Sequence, residues 1–341
     1  MNIFVNASNI HTGGGKVILY DFISATKYFN KINFNIYIDS RFNFQDLERN
    51  NVSFTITEKS QRFLVCFDIE KKTNVGDIII YLTNIPPIIK HKCKTVLVQS
   101  NRFVIDYFPL SGFSIKTKIR LNAEKFLFFI NKNNTDYFVV KSESMYSVLQ
   151  RKGIDRNKIF IIAYMKKNEN QKITNGNFKR QNDIFLYVSS DDPHKNHKNL
   201  IEAWCLLSKE NIYPKLILTI DKNTNLYNYF EQKIKEYSLD VDVKSNLERN
   251  EVLNLYNKST AFIYPSFFES YGLPLVEADQ HKLPVIASEL DYVRDILDPV
   301  ETFDPNSAKS ISRSVKRFLK IKEKKTEVVD PEEFIRRVIN L

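Results

Sequence analysis

The stretch AFIYPSFFESYGLPLVEADQHKLPVIAS, Ala261 to Ser288, decides how the rest of the chain is read. Ala261 to Tyr264 is a short apolar run of buried-strand type. Pro265 and Ser266 break that run, and a loop follows through Phe267, Phe268, Glu269, Ser270, Tyr271 and Gly272. Pro274 stands at a first helical position, where a missing N–H is no loss. The pattern predicts a helix from Pro274 to about Gln280 and a strand over Pro284 to Ala287. A glycine turn before a helix N-terminus is an anion site, because free N–H groups and the positive dipole end face outward there. Glu269 and Glu277 flank this place, eight positions apart. Acids beside a phosphate site repel it unless they accept hydrogen bonds from sugar hydroxyls. A nucleotide-sugar satisfies both requirements; an ordinary βαβ corner with two surface glutamates is the alternative.

The string PSFFESYGLPLVEA resembles the Glu-x7-Glu motif of retaining glycosyltransferases of family four, the group 1 glycosyltransferases. The resemblance includes the Pro–Ser entry, the aromatic–Gly–Leu–Pro turn and the closing Pro–Val–Ile–Ala–Ser strand. Ser270 and Lys282 stand where a glycine is frequent. The resemblance implies a GT-B fold, in which two Rossmann-like α/β domains face a central cleft. It also implies that Glu269 lies against the donor sugar ring and Glu277 holds the ribose hydroxyls. Ser270, Tyr271, Gly272 and Leu273 then line the donor.

The bulk numbers agree with a two-domain α/β protein. At 341 residues, with 43% hydrophobic and 26% charged residues, the chain suits a soluble globular protein with two buried cores. No apolar run reaches the roughly 20 residues that span a bilayer, and the opening MNIFVNAS lacks a signal-peptide pattern. Cys66, Cys93 and Cys205 are scattered, which points to a reducing cytoplasm without disulfides or structural zinc. The net charge of +10 is unevenly placed: residues 1–165 hold 23 Lys and Arg against 13 Asp and Glu, and the remainder is neutral. The first half therefore suits an anionic surface or ligand, a membrane face or nucleic acid.

From the N-terminus, a short strand over Asn2 to Val5 leads to Gly13, Gly14 and Gly15, a flexible turn where backbone can approach a ligand. It is not a P-loop, since Ile10 occupies the first glycine position and Val17 follows Lys16. In the resembled family such a loop faces the donor phosphates, so Gly14 and Gly15 are donor-binding candidates. Strands are predicted over Asn35 to Ile38, Val52 to Ile56, Phe63 to Phe67, Asp77 to Tyr81 and Thr95 to Gln99. Gln99, Asn101 and Arg102 follow a strand end and are acceptor-side candidates. Between Asp106 and Asn134, Phe108, Phe113, Phe126, Phe128 and Phe129 interleave with Lys116, Lys118, Arg120, Lys125 and Lys132. This basic aromatic stretch suits a membrane interface, with Lys116, Lys118, Arg120, Phe126 and Phe129 as its contacts; a solvated helix with core aromatics is the alternative. After a strand over Asp136 to Val140, Ser142 is placed to N-cap a helix.

Residues 1–165 are thus assigned to an acceptor-side domain, 166–183 to a polar linker, 184–325 to a nucleotide-sugar domain and 326–341 to a C-terminal helix packing back across the two. In the second domain PHKNHKNL resembles the family's basic loop, which makes Lys195 the diphosphate cation. The usual partner arginine falls at Ser190, with His194 as a substitute. Backbone near Asn246 and Leu247 is implied to face the nucleobase. No metal is called for; Asp240 and Asp242 form an Asp-x-Asp pair, but in a loop approaching a strand. The expected reaction is transfer of a sugar from a UDP- or GDP-type donor to an acceptor hydroxyl with retention, Glu269 and Lys195 being the catalytic pair. The expected acceptor is a saccharide, lipid-linked, in surface polysaccharide assembly, reached from the cytoplasmic face of the plasma membrane. The rivals are a nucleotide-sugar epimerase or phosphorylase on the same fold, and a basic nucleic-acid-binding protein, for which no recognised module is present.

Overall fold

The computed structural model describes residues 1–44, 47, 49–164 and 183–322. The predicted linker, apart from Asp183, and the predicted C-terminal helix lie outside them. The first sheet has strands β1 (Asn2–Ala7), β2 (Asn33–Asp39), β3 (Val52–Thr57), β4 (Ile78–Tyr81), β5 (Lys94–Val98), β6 (Tyr137–Val140) and β7 (Ile159–Ile161). They are ordered β3-β2-β1-β4-β5-β6-β7 and are all parallel. Helices α1 (Gly13–Ala25), α2 (Val65–Lys72), α3 (Arg102–Ile105), α4 (Ile115–Asn131) and α5 (Glu143–Arg151) connect them. The second sheet has β8 (Ile184–Tyr187), β9 (Lys215–Leu218), β10 (Val241–Val243), β11 (Ala261–Tyr264), β12 (Val285–Ser288) and β13 (Glu301–Phe303). Its order is β10-β9-β8-β11-β12-β13, again parallel throughout. Its helices are α6 (His197–Lys209), α7 (Asn225–Tyr237), α8 (Arg249–Lys258), α9 (Leu273–Gln280), α10 (Asp291–Arg294) and α11 (Ala308–Phe318).

Parallel strands covered on both faces read as continuous apolar runs. Every residue of β11 and of β12 is buried accordingly. Trp204 on α6 fills the second core, edge-on to Phe185 at 5.6 Å, and its indole N–H donates to Pro214 O. The order of each sheet reverses beside its first strand, between β1 and β4 and between β8 and β11. Loops leaving the carboxyl ends of strands at such a switch point diverge and leave a crevice.

Two local expectations are corrected. Phe63 to Phe67 is not a strand: Val65, Cys66 and Ile69 are the buried face of α2, while Phe63, Leu64 and Phe67 are exposed. A short apolar run fits either period, and here packing chose the helix. The glycines do not form a free turn either. Gly13 takes φ +62°, and α1 begins there.

Candidate active site

β8 and β11 deliver the two loops of the second switch point. After β8, Asn196 adopts the left-handed conformation that ends a short turn over Pro193–Lys195. Its amide donates to Pro265 O at 2.9 Å and Pro305 O at 2.7 Å, tying this loop to the end of β11. The Tyr187 hydroxyl donates to Lys195 O at 2.8 Å. Lys195 is thereby held so that its Nζ meets Glu269 Oε1 at 2.6 Å, and Tyr264 OH donates to the same oxygen at 2.9 Å. Burial alone would push the Glu269 carboxyl up; the Lys195 ammonium, with further help from hydrogen bonds, outweighs it and holds Glu269 below the ordinary range.

Gly272 follows with φ +70°, and a Cβ there would lie 3.1 Å from Leu275 Cδ1. The left-handed backbone favours glycine, and a larger residue would also press on Leu275. Gly272 is the N-cap of α9, and no side chain caps that helix. Pro274 has no N–H and the Leu275 N–H donates to Gly272 O at 2.8 Å, so few N–H groups at this end are left for a ligand or water. One turn in, Glu277 is buried. Arg249 Nη1 sits 2.6 Å from its Oε1, and Tyr256 OH donates to Oε2 at 2.9 Å. Asn246 takes a left-handed conformation after β10, just before Glu248, which closes a capping box with Glu251 at the start of α8. Leu247 lies between them, and Ser270 and Tyr271 are partly exposed on the loop before α9.

His194 is corrected. Its ring is packed 5.0 Å from Phe103, edge-on, and stacked 6.0 Å from Phe113. Burial pushes its pKa down, so at neutral pH it is uncharged and does not replace the missing arginine. Phe108, Phe103 and Phe268 complete the same cluster, which joins the two domains. Phe108 and Phe113 therefore belong to the interdomain core, and Phe128 to the first domain's core. Arg102 also crosses between domains: its Nη1 donates to Glu269 O, its guanidinium lies 4.7 Å over Phe268, and Asp106 pairs with it at 2.9 Å.

Across the cleft stands the first switch point. Asn9, Ile10, His11, Thr12, Gly15, Thr83, Asn84, Asn101, Arg120 and Glu124 line a cavity of about 200 Å³. Of the acceptor-side candidates only Asn101 lines it, while Gln99 is fully buried and donates to Asn101 O. Arg120 lies at the rim of the cavity in an ion pair with Glu124 at 3.2 Å, and its side chain is still exposed. Burial raises the Glu124 carboxyl, and the Arg120 charge offsets this only in part. His11, Asn84 and Glu124 were not singled out in the sequence. Asn84, with φ +65°, accepts from Ser100 N and so braces two strand-end loops, a role that needs both loops in place before it can be seen. Gly14 brings the halves together: a Cβ there would lie 2.7 Å from Leu273 Cδ1. Its close approach is to the opposing helix start.

On α4, Ile115, Ile119, Phe126, Phe129 and Ile130 are exposed along one stripe, with Lys116 and Lys118 on its flanks. No helix among the described residues is long and apolar enough to cross a membrane, and no three His, Cys, Asp or Glu residues among them group as metal ligands. Asp242 lies on β10 and pairs with Lys244, and Asp240 with Lys215.

Comparison with known proteins adds the chemistry. The family model for glycosyl transferases group 1 matches residues 168–330. The O-antigen chain mannosyltransferase B of Escherichia coli is 29% identical over 140 residues, 39% of this chain and 36% of its own. The O-antigen chain mannosyltransferase RfbU of Salmonella typhimurium is 25% identical over 179 residues, 50% of this chain and 47% of its own. The matched stretches thus span less than half of those relatives. Anabaena Alr3699/HepE, solved in complex with UDP and glucose, superposes with a TM-score of 0.65 at 15% identity, covering 94% of this chain and 90% of that one. At that identity the likeness speaks for the fold, which is the two-domain GT-B arrangement.

Proposed function

We propose, from the match of residues 168–330 to the group 1 glycosyl transferases, that the protein moves a sugar from a nucleoside-diphosphate donor to an acceptor hydroxyl, with retention at the anomeric carbon. The observation that carries the reading is the Lys195–Glu269 pair, 2.6 Å apart, beside the uncapped start of α9. As the glycosidic C–O bond breaks, negative charge grows on the departing diphosphate and positive charge on the sugar. Lys195 and the positive end of the α9 dipole answer the first, and the Glu269 carboxylate answers the second. Glu277, on the same helix, can accept from the ribose hydroxyls once Arg249 yields one of its oxygens. As the resemblance implies, the leaving phosphate takes the acceptor's proton on the same face, without a carboxylate nucleophile. The reading asks for no metal.

The acceptor hydroxyl enters from the cavity lined by Asn84, Asn101 and Arg120. A lipid-linked saccharide in surface polysaccharide assembly is the acceptor class, supported by the relatives' O-antigen names and by the α4 stripe, which suits an anionic bilayer face on the cytoplasmic side. The test is calorimetry with UDP, GDP and their sugars, followed by product analysis. Lys195→Ala should weaken diphosphate binding by about 1.5–3 kcal/mol and spare nucleoside binding. Isomerised donor or free sugar phosphate, in place of a glycosylated acceptor, would overturn the reading.

A further inference from the structure

Lys141 directly follows β6 and is only 7% exposed. Among the described residues its ammonium makes no ion pair and no hydrogen bond; what faces it are two rings, Tyr164 at 5.3 Å and Tyr271 at 5.9 Å. A buried cation normally has a paired anion, and the described residues supply none. The two rings locate the ammonium. Tyr164 donates to Ile18 O on α1, and Tyr271 directly precedes the Gly272 cap of α9. Ser142, the next residue, donates to Ser270 O across the cleft at 3.3 Å. Lys141 therefore lies beside the ring that contacts α1 at Ile18 and the ring that leads into α9, and the two helices approach each other at Gly14 and Leu273. Neither helix has a side-chain cap. An ammonium unpaired among the described residues and the positive dipole ends of two neighbouring helices lie in the same part of the cleft, and a polyanion answers all of them.

We propose that Lys141 is a donor-binding residue of the first domain, the second cation on the nucleoside diphosphate, opposite Lys195. The proposal rests on the glycosyltransferase reading above. It accounts for the serine at position 190, where the resembled family carries an arginine: the second positive charge comes from the other sheet. Because Lys141 and Lys195 belong to different sheets, the bound diphosphate ties the two domains together.

The test is calorimetry of UDP and GDP, with uridine and guanosine as controls, on wild type, Lys141→Met and Lys141→Arg. The methionine variant should lose about tenfold or more in diphosphate affinity with nucleoside affinity unchanged, and arginine should restore it. Burial, with no opposing charge, pushes the Lys141 pKa down to about 8. The phenols of Tyr164 and Tyr271 are pushed up and stay neutral in this range, and Asp21 on α1 acts on Tyr164. A lysine lowered to about 8 is charged below that pH and loses its charge above it. Wild-type diphosphate affinity should therefore fall as pH rises from 7 to 9.5, and the arginine variant should show a flatter profile. Nucleoside binding reports on folding in every variant. If wild type binds a diphosphate and the methionine variant matches it at both pH values, Lys141 has no such role. If wild type binds neither diphosphate, the glycosyltransferase reading falls first, and this one with it.

Discussion

Glu269 accepts from Lys195 and Tyr264, with Ser266 as a further hydrogen-bonding partner, and caps no helix, since Gly272 is the cap of α9. A capping role for this acid is therefore closed, and the contest is between a structural ion pair and a transition-state contact. Both partners are largely buried, 14% and 11% exposed at the side chain. Glu269→Gln strands the Lys195 charge and should cost stability, up to about 3–5 kcal/mol for a buried pair. Stability alone cannot separate the roles, but the Lys195→Met, Glu269→Gln double variant can. It should recover most of the lost melting temperature, because no buried charge is left unpaired. If Glu269 acts on the developing sugar cation, kcat and kcat/KM stay at least about tenfold down in both variants, about 1.4 kcal/mol of barrier. Recovery of turnover along with stability would show the pair to be structural. Both ends of this pair were legible in the sequence, Glu269 from its place before the glycine turn and Lys195 from its loop. Tyr264, Arg249 and Tyr256 were not, because a tyrosine in an apolar strand or helix reads as core. Only the fold shows its hydroxyl reaching a carboxylate.

Among the elements, α4 was legible in kind but not in detail. The interleaving of phenylalanine with lysine gave an amphipathic helix, yet helical geometry divides its basic residues between two surfaces. Lys116 and Lys118 flank the exposed stripe of Ile119, Phe126 and Phe129, whereas Arg120 turns to Glu124 at the rim of the cavity. The membrane proposal then predicts different results for neighbouring substitutions. Lys116→Glu with Lys118→Glu should weaken binding to anionic vesicles by about 1 kcal/mol per charge, and added salt should do the same to wild type. Phe126→Ser with Phe129→Ser should weaken it further, by removing buried apolar area. Arg120→Glu should leave vesicle binding nearly unchanged. Sedimentation with vesicles of graded anionic lipid measures all three, and binding indifferent to lipid charge and salt would refute the mechanism. The misassigned Phe63 to Phe67 follows the same rule on a smaller scale: a run of five apolar residues does not show which of them will face the core until the helix is placed.

At the scale of the whole molecule, the sequence showed two α/β halves with the positive charge in the first. It could not show how the halves meet, since the joining contacts link residues 128 and 167 positions apart, as in Ser142 with Ser270 and Arg102 with Glu269. The largest of these joints is aromatic. Phe103 and Phe108 pack against Phe268 at 4.9 and 4.8 Å, with His194 and Phe113 alongside. Phe268 directly precedes Glu269, so this cluster couples the closure of the cleft to the position of the carboxylate. Polar interdomain contacts are replaceable by water, whereas apolar rings held together in water resist separation. Phe103→Ala with Phe268→Ala should therefore open the two halves, with the radius of gyration from solution scattering rising in the absence of nucleotide. A saturating nucleoside diphosphate should draw it back toward the wild-type value, because ligand contacts to both sheets favour the closed form. The same variant should bind the diphosphate more weakly than wild type by the free energy needed for closure, and nucleoside alone, which the proposed function assigns to the second domain, should be affected less. An unchanged radius together with unchanged diphosphate affinity would mean that the cluster supports each half separately and does not hold the cleft closed.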